Sequence, residues 1–295
     1  MRYRLFGLLL LCVSSYTQAE LRVFACEPEW QRLTQALGGE WVDVYSATSA
    51  KQDPHHIQAR PSLIAKARRA DLLVCTGAEL EIGWLPLLLR KSNNRRIQPN
   101  SLGWFMATDY VKLLGKPAVL DRSLGDVHAA GNPHIHLDPD RMWRVAKALS
   151  LRLQELDSEH VKEYQQLWQK FDRDWQSAIA IWREQAKSLS GLSVVTHHTS
   201  WLYFLRWLGV DQVATLEAKA GVAPSIADLK HLLQRISDTS IDGILYANYQ
   251  SPKAANWLSN RIDAKALALP FSVADGESLT DWYSGLIQRL LALRS

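Results

Sequence analysis

The residues with chemical potential in this chain are its histidines, because of where they gather. Of nine in all, seven fall in three places: His55-His56 in QDPHHIQARPS, the stretch from His128 to His136, and His197-His198 in VVTHHTSW. Neutral imidazole is the commonest metal ligand among side chains, and zinc takes such nitrogens in tetrahedral sets. In GNPHIHLDP, His134 and His136 stand between an Asn132-Pro133 turn and a helix start, with Asp138 as N-cap and Pro139 at the first helical position. His55 follows a second rigid turn, Asp53-Pro54, and His198 sits at a strand-to-helix turn. Three such turns, two in one half of the chain and one in the other, could converge across a cleft. A lone histidine is ordinarily a hydrogen-bonded structural or surface residue. His160 and His231, each on a helix at an unremarkable position, are read that way.

The elements that must position these turns alternate between strand and helix. Leu21–Ala25 reads as a strand, Trp30–Leu37 as a helix ending at Gly38-Gly39, and Trp41–Tyr45 as a second strand. A helix opened by Pro61 runs to Arg69, Ala70–Cys75 is a buried strand, and Ile82–Arg90 is a helix. Lys91 to Gly131 is a long excursion with one or two short strands around Ala107–Leu114; loops of this length in compact domains are usually functional or mobile. Pro139–Leu156 is a helix. From Ser158 to Leu189, apolar residues recur at Val161, Tyr164, Trp168, Phe171, Trp175, Ile179, Trp182 and Ala186, a helical period that would make one rigid helix roughly 45 Å long. Then β-α alternation resumes. Leu192–Thr196, Gln212–Leu216, Ile241–Tyr246 and Ala264–Leu269 read as strands. Helices are expected over 201–208, from Pro224-Ser225 to Ile236, from Ser251-Pro252 to Asn260, and over 279–293. The order implies an α/β protein: two lobes with parallel β-sheets flanked by helices, linked by one long rigid helix. The expected boundaries are 20–157 for the first lobe, 158–189 for the linking helix and 190–295 for the second lobe. In such sheets ligands bind beyond the carboxyl ends of strands, which is where the loops bearing His55 and His198 lie.

Residues 1–19 read as a secretory signal peptide: Arg2 and Arg4, an apolar run from Leu5 to Val13, and Thr17-Gln18-Ala19 as a small-residue cleavage site before Glu20. The run is too short for a membrane anchor. Cys12 is preceded by leucines where lipoprotein processing wants small residues. The formal net charge of +4 falls by two when this leader is removed, and there is no basic run with interleaved aromatics, so nucleic-acid binding is not expected. An apolar content of 47% with 22% charged residues is that of a soluble globular protein. Cys26 and Cys75 end two apolar runs read as strands. A disulfide between them is allowed in an oxidising compartment; the alternative is two buried free thiols.

The frame around the histidines resembles the periplasmic solute-binding proteins of zinc and manganese ABC importers, the cluster A-I (cluster 9) family, over nearly all of the chain after the leader. QDPHHIQARPS is similar to the family's Asp-Pro-His segment, ADLLVCTGAELEIGWL to a second characteristic segment, GNPHIHLDP to the (Asp/Asn)-Pro-His segment, and VVTHHTSWLYFLRWLGV to the third histidine segment. The resemblance implies three metal ligands, His55, His134 and His198. It leaves His56, His136 and His197 as neighbours in the surrounding shell, as alternates or as a capture surface. The family's His-rich capture loop before the second ligand is reduced here to His128. The family often has a fourth ligand, an Asp in a Leu-Asp-Pro-like context. Pro270 stands where that Asp would fall, leaving the fourth position to Asp275, Glu79, Glu81 or water.

Three imidazoles suit zinc, whereas manganese prefers oxygen-rich sets. The expected function is an extracytoplasmic, periplasmic protein, monomeric and not an enzyme, that captures Zn²⁺ between its lobes and delivers it to an ABC importer permease. The alternative is a periplasmic zinc hydrolase on the same histidines, although no H-E-x-x-H and no clear general base accompany them. A metal-independent binder or adhesin on the same scaffold is a third reading.

Overall fold

The computed structural model describes residues 20–118 and 125–294; the expected leader, 1–19, lies outside the described residues. The first half builds a four-stranded, wholly parallel sheet from β1 (Leu21–Ala25), β2 (Val42–Ser46), β3 (Leu72–Cys75) and β4 (Trp104–Met106), in the order β2-β1-β3-β4. Helices α1 (Pro28–Gly38), α2 (Pro61–Arg69) and α3 (Leu85–Ser92) make the crossovers. The second half repeats the layout. Strands β5 (Ser193–Thr196), β6 (Asp211–Thr215), β7 (Gly243–Ala247) and β8 (Lys265–Leu269) order as β6-β5-β7-β8, again all parallel. Parallel strands need crossover connections, and amphipathic helices set between short apolar runs supply them.

Most expected boundaries shift by a residue or two, and two elements shift further. The strand of the long excursion is Trp104–Met106, which pairs with β3; Ala107–Tyr110, where strand was expected, is a 3-10 turn. The β3-edge position goes to the buried Phe105-Met106 pair, and the Ala107 run merely continues it. Helix α3 starts at Leu85 and not Ile82, because Gly77, Ala78 and Glu79 all take positive φ and the chain turns through Glu81–Trp84 before Pro86 can sit in a first helical turn.

Between the sheets lie α4 (Pro139–Leu156) and α5 (Val161–Ala186), the latter flanked by single 3-10 turns. At about 1.5 Å per residue α5 is roughly 39 Å long. Tyr164, Trp175, Ile179, Trp182 and Ala186 are buried along one stripe, as their spacing predicts. The indoles anchor it on both sides. Trp175 Nε1 donates to the Pro139 carbonyl (3.0 Å) at the start of α4, and Trp182 Nε1 donates to Ser284 Oγ (2.9 Å) on the last helix, Leu279–Leu291. One apolar core therefore runs from Val23 and Val74 of the first sheet, through Trp175 and Trp182, to Leu245 of the second. A disulfide joins Cys26, just beyond β1, to Cys75, the last residue of the adjacent strand β3, with Cα atoms 4.8 Å apart.

Candidate metal centre

Two of the three sequence-predicted ligands are held by the same local device. In Asp53-Pro54-His55, Asp53 Oδ1 accepts from the His55 backbone N–H (3.0 Å) and from its ring Nδ1 (2.7 Å). In Asn132-Pro133-His134, Asn132 Oδ1 does the same, at 3.0 and 2.8 Å. A short acidic or amide side chain can close an Asx turn on the residue two positions on, and the intervening proline fixes φ. The result is an imidazole whose Nδ1 proton is committed and whose Nε2 lone pair projects away from the turn. The first turn is braced by Trp84 Nε1, which donates to the Pro54 carbonyl (3.0 Å). The second is braced from the other half of the molecule. Asn132 Nδ2 donates to the Thr199 carbonyl (2.9 Å), which also fixes the amide so that Oδ1 faces His134. Tyr203 Oη donates to the Asn132 carbonyl (2.7 Å).

His198 comes from the turn that follows β5. Its Nδ1 donates to Glu217 Oε2 at 2.8 Å, and Glu217 lies just beyond the carboxyl end of β6. The same carboxylate takes the Gly221 backbone N–H (2.8 Å) and lies 3.4 Å from His197 Nε2. Sequence reasoning missed Glu217. The signal available was its position after an apolar strand neighbouring the one that carries His198, but nothing in the chain links residues nineteen apart until the sheet pairs them.

The three rings face one another across a gap wider than a bound ion leaves. Centroid separations are 5.5 Å for His55–His134, 5.8 Å for His134–His198 and 6.2 Å for His55–His198. A tetrahedral set at Zn–N near 2.0–2.1 Å would place ring centroids about 5 Å apart. The longer two separations both involve His198, which the second half carries. His134 is 1% exposed, and its Nε2 is buried without a hydrogen-bond partner. A buried polar atom left bare is costly. An Nε2 lone pair aimed among other imidazoles has the chemistry of a cation ligand.

Electrostatics favour a neutral His134 ring and ionised anchors. Burial, then the proximity of His55 and His198, holds His134 well below the usual imidazole range. Burial would raise the Glu217 carboxyl, but hydrogen bonds from His197 and His198 outweigh it and bring it down to about 2. Burial likewise works against ionised Asp53, and its bonds to His55 prevail and lower it.

The remaining candidates are placed elsewhere, apart from one. His56 is exposed. His136 is buried, stacked on Trp282 with Nε2 at 3.2 Å from the Phe271 carbonyl, and His197 serves Glu217. Glu81 is 2% exposed and accepts from the Thr76 and Gly77 backbone N–H groups beside the disulfide. Glu79 and Asp275 are exposed. After β8, where the family's Asp would fall, Pro270 accepts from Trp282 Nε1 (3.0 Å) and Phe271 packs edge-on against His134 at 5.5 Å. His128, by contrast, reaches the centre: its Nε2 is 3.3 Å from His55 Nε2. Asp53 Oδ1 and Glu217 Oε2 are each engaged by an imidazole Nδ1.

Comparison with known proteins gives a consistent result. The family model described as zinc-uptake complex component A, periplasmic, matches residues 23–293. A manganese ABC transporter substrate-binding lipoprotein of Streptococcus pneumoniae is 22% identical over 298 residues, 95% of this chain and 91% of that protein. The high-affinity zinc uptake system protein ZnuA of Bacillus subtilis is 22% identical, over 77% of this chain and 70% of its own length. An iron ABC transporter substrate-binding lipoprotein of Streptococcus pyogenes is 23% identical over 249 residues, covering 79% of this chain and 76% of its own. A crystal structure of ZnuA superimposes with a TM-score of 0.77 at 21% identity, over 94% of this chain and 100% of that one. These relatives are substrate-binding proteins and not enzymes. The chain belongs to the zinc-uptake complex component A family, the extracytoplasmic solute-binding proteins of metal ABC importers.

Proposed function

We propose that this protein captures Zn²⁺ in the periplasm through His55, His134 and His198 and delivers it to the membrane permease of a metal ABC importer. The observation that carries this reading is the bare, buried Nε2 of His134 among rings whose Nδ1 protons are all committed to oxygen acceptors. Such a set offers nitrogen lone pairs and no oxygen at the three anchored positions. Imidazole suits zinc, whereas a manganese site draws on carboxylates and carbonyls. The relatives include proteins named for manganese and for iron, so ligand chemistry is the ground for preferring zinc here.

In this reading residues 1–19 direct export, and residues 20–157 and 190–295 act as two metal-binding lobes on the helix of 158–189. The protein works as a monomer that meets the permease with its cargo. The core that α5 shares with both sheets favours small movements of the His198 side over a wide hinge. Loading should raise thermal stability, because a ligand that binds the folded chain alone stabilises it by about 2.7 kcal/mol at a hundred times its Kd. The test is melting of the metal-stripped protein with and without zinc, in the wild type and in a His55→Ala, His198→Ala double variant. A zinc-dependent rise in the wild type that vanishes in the variant supports the reading; an equal rise in both, or none in either, overturns it.

A further inference from the structure

The geometry points to His128 as a fourth metal ligand, which would make an all-imidazole centre closed by a strap that touches both halves of the molecule. This rests on the zinc-capture reading above and adds to it the donor that the sequence left open.

Four observations carry it. The first is the 3.3 Å approach of His128 Nε2 to His55 Nε2, with ring centroids 5.4 Å apart, a separation that two nitrogens sharing one zinc would have. The second is the commitment of the other ring nitrogens. His55 gives its Nδ1 proton to Asp53, and the His128 ring bonds the backbone of Ala78. With Nε2 turned toward His55, Nδ1 is the atom left for Ala78. In the tautomer that carries both protons on Nδ1, the two Nε2 lone pairs face each other at 3.3 Å, and a cation between them gains two bonds.

The third observation is how the strap is held. Gly125 forms a parallel bridge with Ala220, and the Asp126 N–H donates to the Ala220 carbonyl (2.9 Å). The fit is close: a Cβ at Gly125 (φ +91°) would lie 2.0 Å from the Ala220 carbonyl oxygen, and one at Gly221 (φ +73°) would lie 2.0 Å from Asp126 Oδ2. On the other side the Ala129 N–H donates to Glu79 Oε2 (3.1 Å). Ala78 and Glu79 hold positive φ of 48° and 67°, a conformation that non-glycine residues keep where surrounding structure demands it. Gly221, next to the strap's partner Ala220, donates to the Glu217 carboxylate that orients His198. His128 and His198 are thus positioned through one short loop.

The fourth observation removes the competing donors. The chain after β8 offers Pro270 and Phe271 to the centre, Asp275 and Glu79 are exposed, and Glu81 caps backbone amides beside the disulfide. Four imidazoles with no carboxylate make a borderline donor set that disfavours manganese more strongly than three imidazoles and an aspartate would.

The test is a competition titration of metal-stripped wild type, His128→Ala, His128→Asp and His134→Ala with zinc and with manganese, together with zinc K-edge absorption spectra of the loaded forms. Loss of His128 should weaken zinc binding by at least about 10-fold and remove one imidazole from the scattering of the loaded protein. His128→Asp should shift the zinc-to-manganese preference toward manganese. Unchanged melting of the metal-free His128→Ala variant establishes that the fold is intact. If wild type binds zinc and His134→Ala abolishes it, while His128→Ala keeps wild-type affinity and an unchanged spectrum, the fourth-ligand inference is wrong and the capture reading stands. If wild type binds no zinc, both fall.

Discussion

Glu217 Oε2 accepts the Nδ1 proton of His198 at 2.8 Å, so a residue beyond β6 decides where an imidazole beyond β5 points. This bond ties the third ring to the second half's sheet, and the carboxylate stays ionised because His197 and His198 hold it at about 2. Replacing it with alanine frees the ring and lets the proton occupy either nitrogen. Glu217→Ala should weaken zinc binding by about 10- to 100-fold, while Glu217→Gln, which keeps an acceptor, should lose less. A competition titration with a zinc-sensitive chelator dye distinguishes the two. Equal affinity in wild type and Glu217→Ala would show that His198 needs no such anchor.

Asn132 serves His134 as Glu217 serves His198, and it also crosses to the Thr199 carbonyl. Asn132→Ala should weaken zinc and also destabilise the metal-free fold. The loss of buried hydrogen bonds is on the order of 1–3 kcal/mol, or a few degrees of melting temperature in a chain of this size. Asn132→Asp retains the acceptor, as Asp53 does in the twin turn, and should recover zinc affinity but not the bond to Thr199. Calorimetric melting beside a zinc titration reads both effects.

The two Asx-Pro-His turns explain how much of the centre was legible in the sequence. Their geometry is local, with acceptor, proline and imidazole inside three residues, so His55 and His134 could be picked out before any fold was in view. The parallel sheets were legible for the same reason, since period and capping residues such as Asp138-Pro139 act within one element. Glu217 and His128 were not singled out as parts of the centre, because each acts through a contact that exists only after two strands or two halves pair. The long excursion misled for a related reason. Trp104–Met106 is too short to show a period, and only its pairing with β3 makes it a strand.

Metal retention should persist into mild acid. Protonated imidazole cannot ligate, so affinity falls where protons win the nitrogen lone pairs. Burial and neighbouring imidazoles hold His134 well below its usual range and His128 down to about 4. For these two rings, proton competition therefore sets in below the ordinary imidazole value of about 6.5. Proton competition at these two rings should add a further loss of zinc affinity between pH 6 and 4. A loss already complete by pH 6, with no further fall toward pH 4 by dye competition, would contradict the lowered His134 and His128 rings.

The metal-free fold should show an opposing trend arising from a different cluster. Burial, then the charges of Glu81 and Glu29, raises Glu27 well above the normal carboxyl value, and burial raises Glu81 to about 7. Groups whose folded pKa is raised hold their proton in the folded state while the unfolded chain has lost it. Their stabilising contribution is complete below about 4.5 and lost as pH rises through the folded value. Glu27→Gln removes the charge and offers an amide to its neighbour Glu81. It should flatten the loss of stability above pH 5 and raise the melting temperature at pH 8 by roughly 2–4 °C per kcal/mol gained. Parallel pH–melting curves for wild type and variant would contradict this assignment.

The central claim is that the imidazoles of His55, His134 and His198 bind one zinc ion, and a calorimetric titration of the metal-stripped protein tests it most directly. The expected result is one zinc per chain with a Kd well below the micromolar protein concentration, abolished by His134→Ala in a variant that still folds. No heat of binding in the wild type, or the same binding in His134→Ala, would contradict the account.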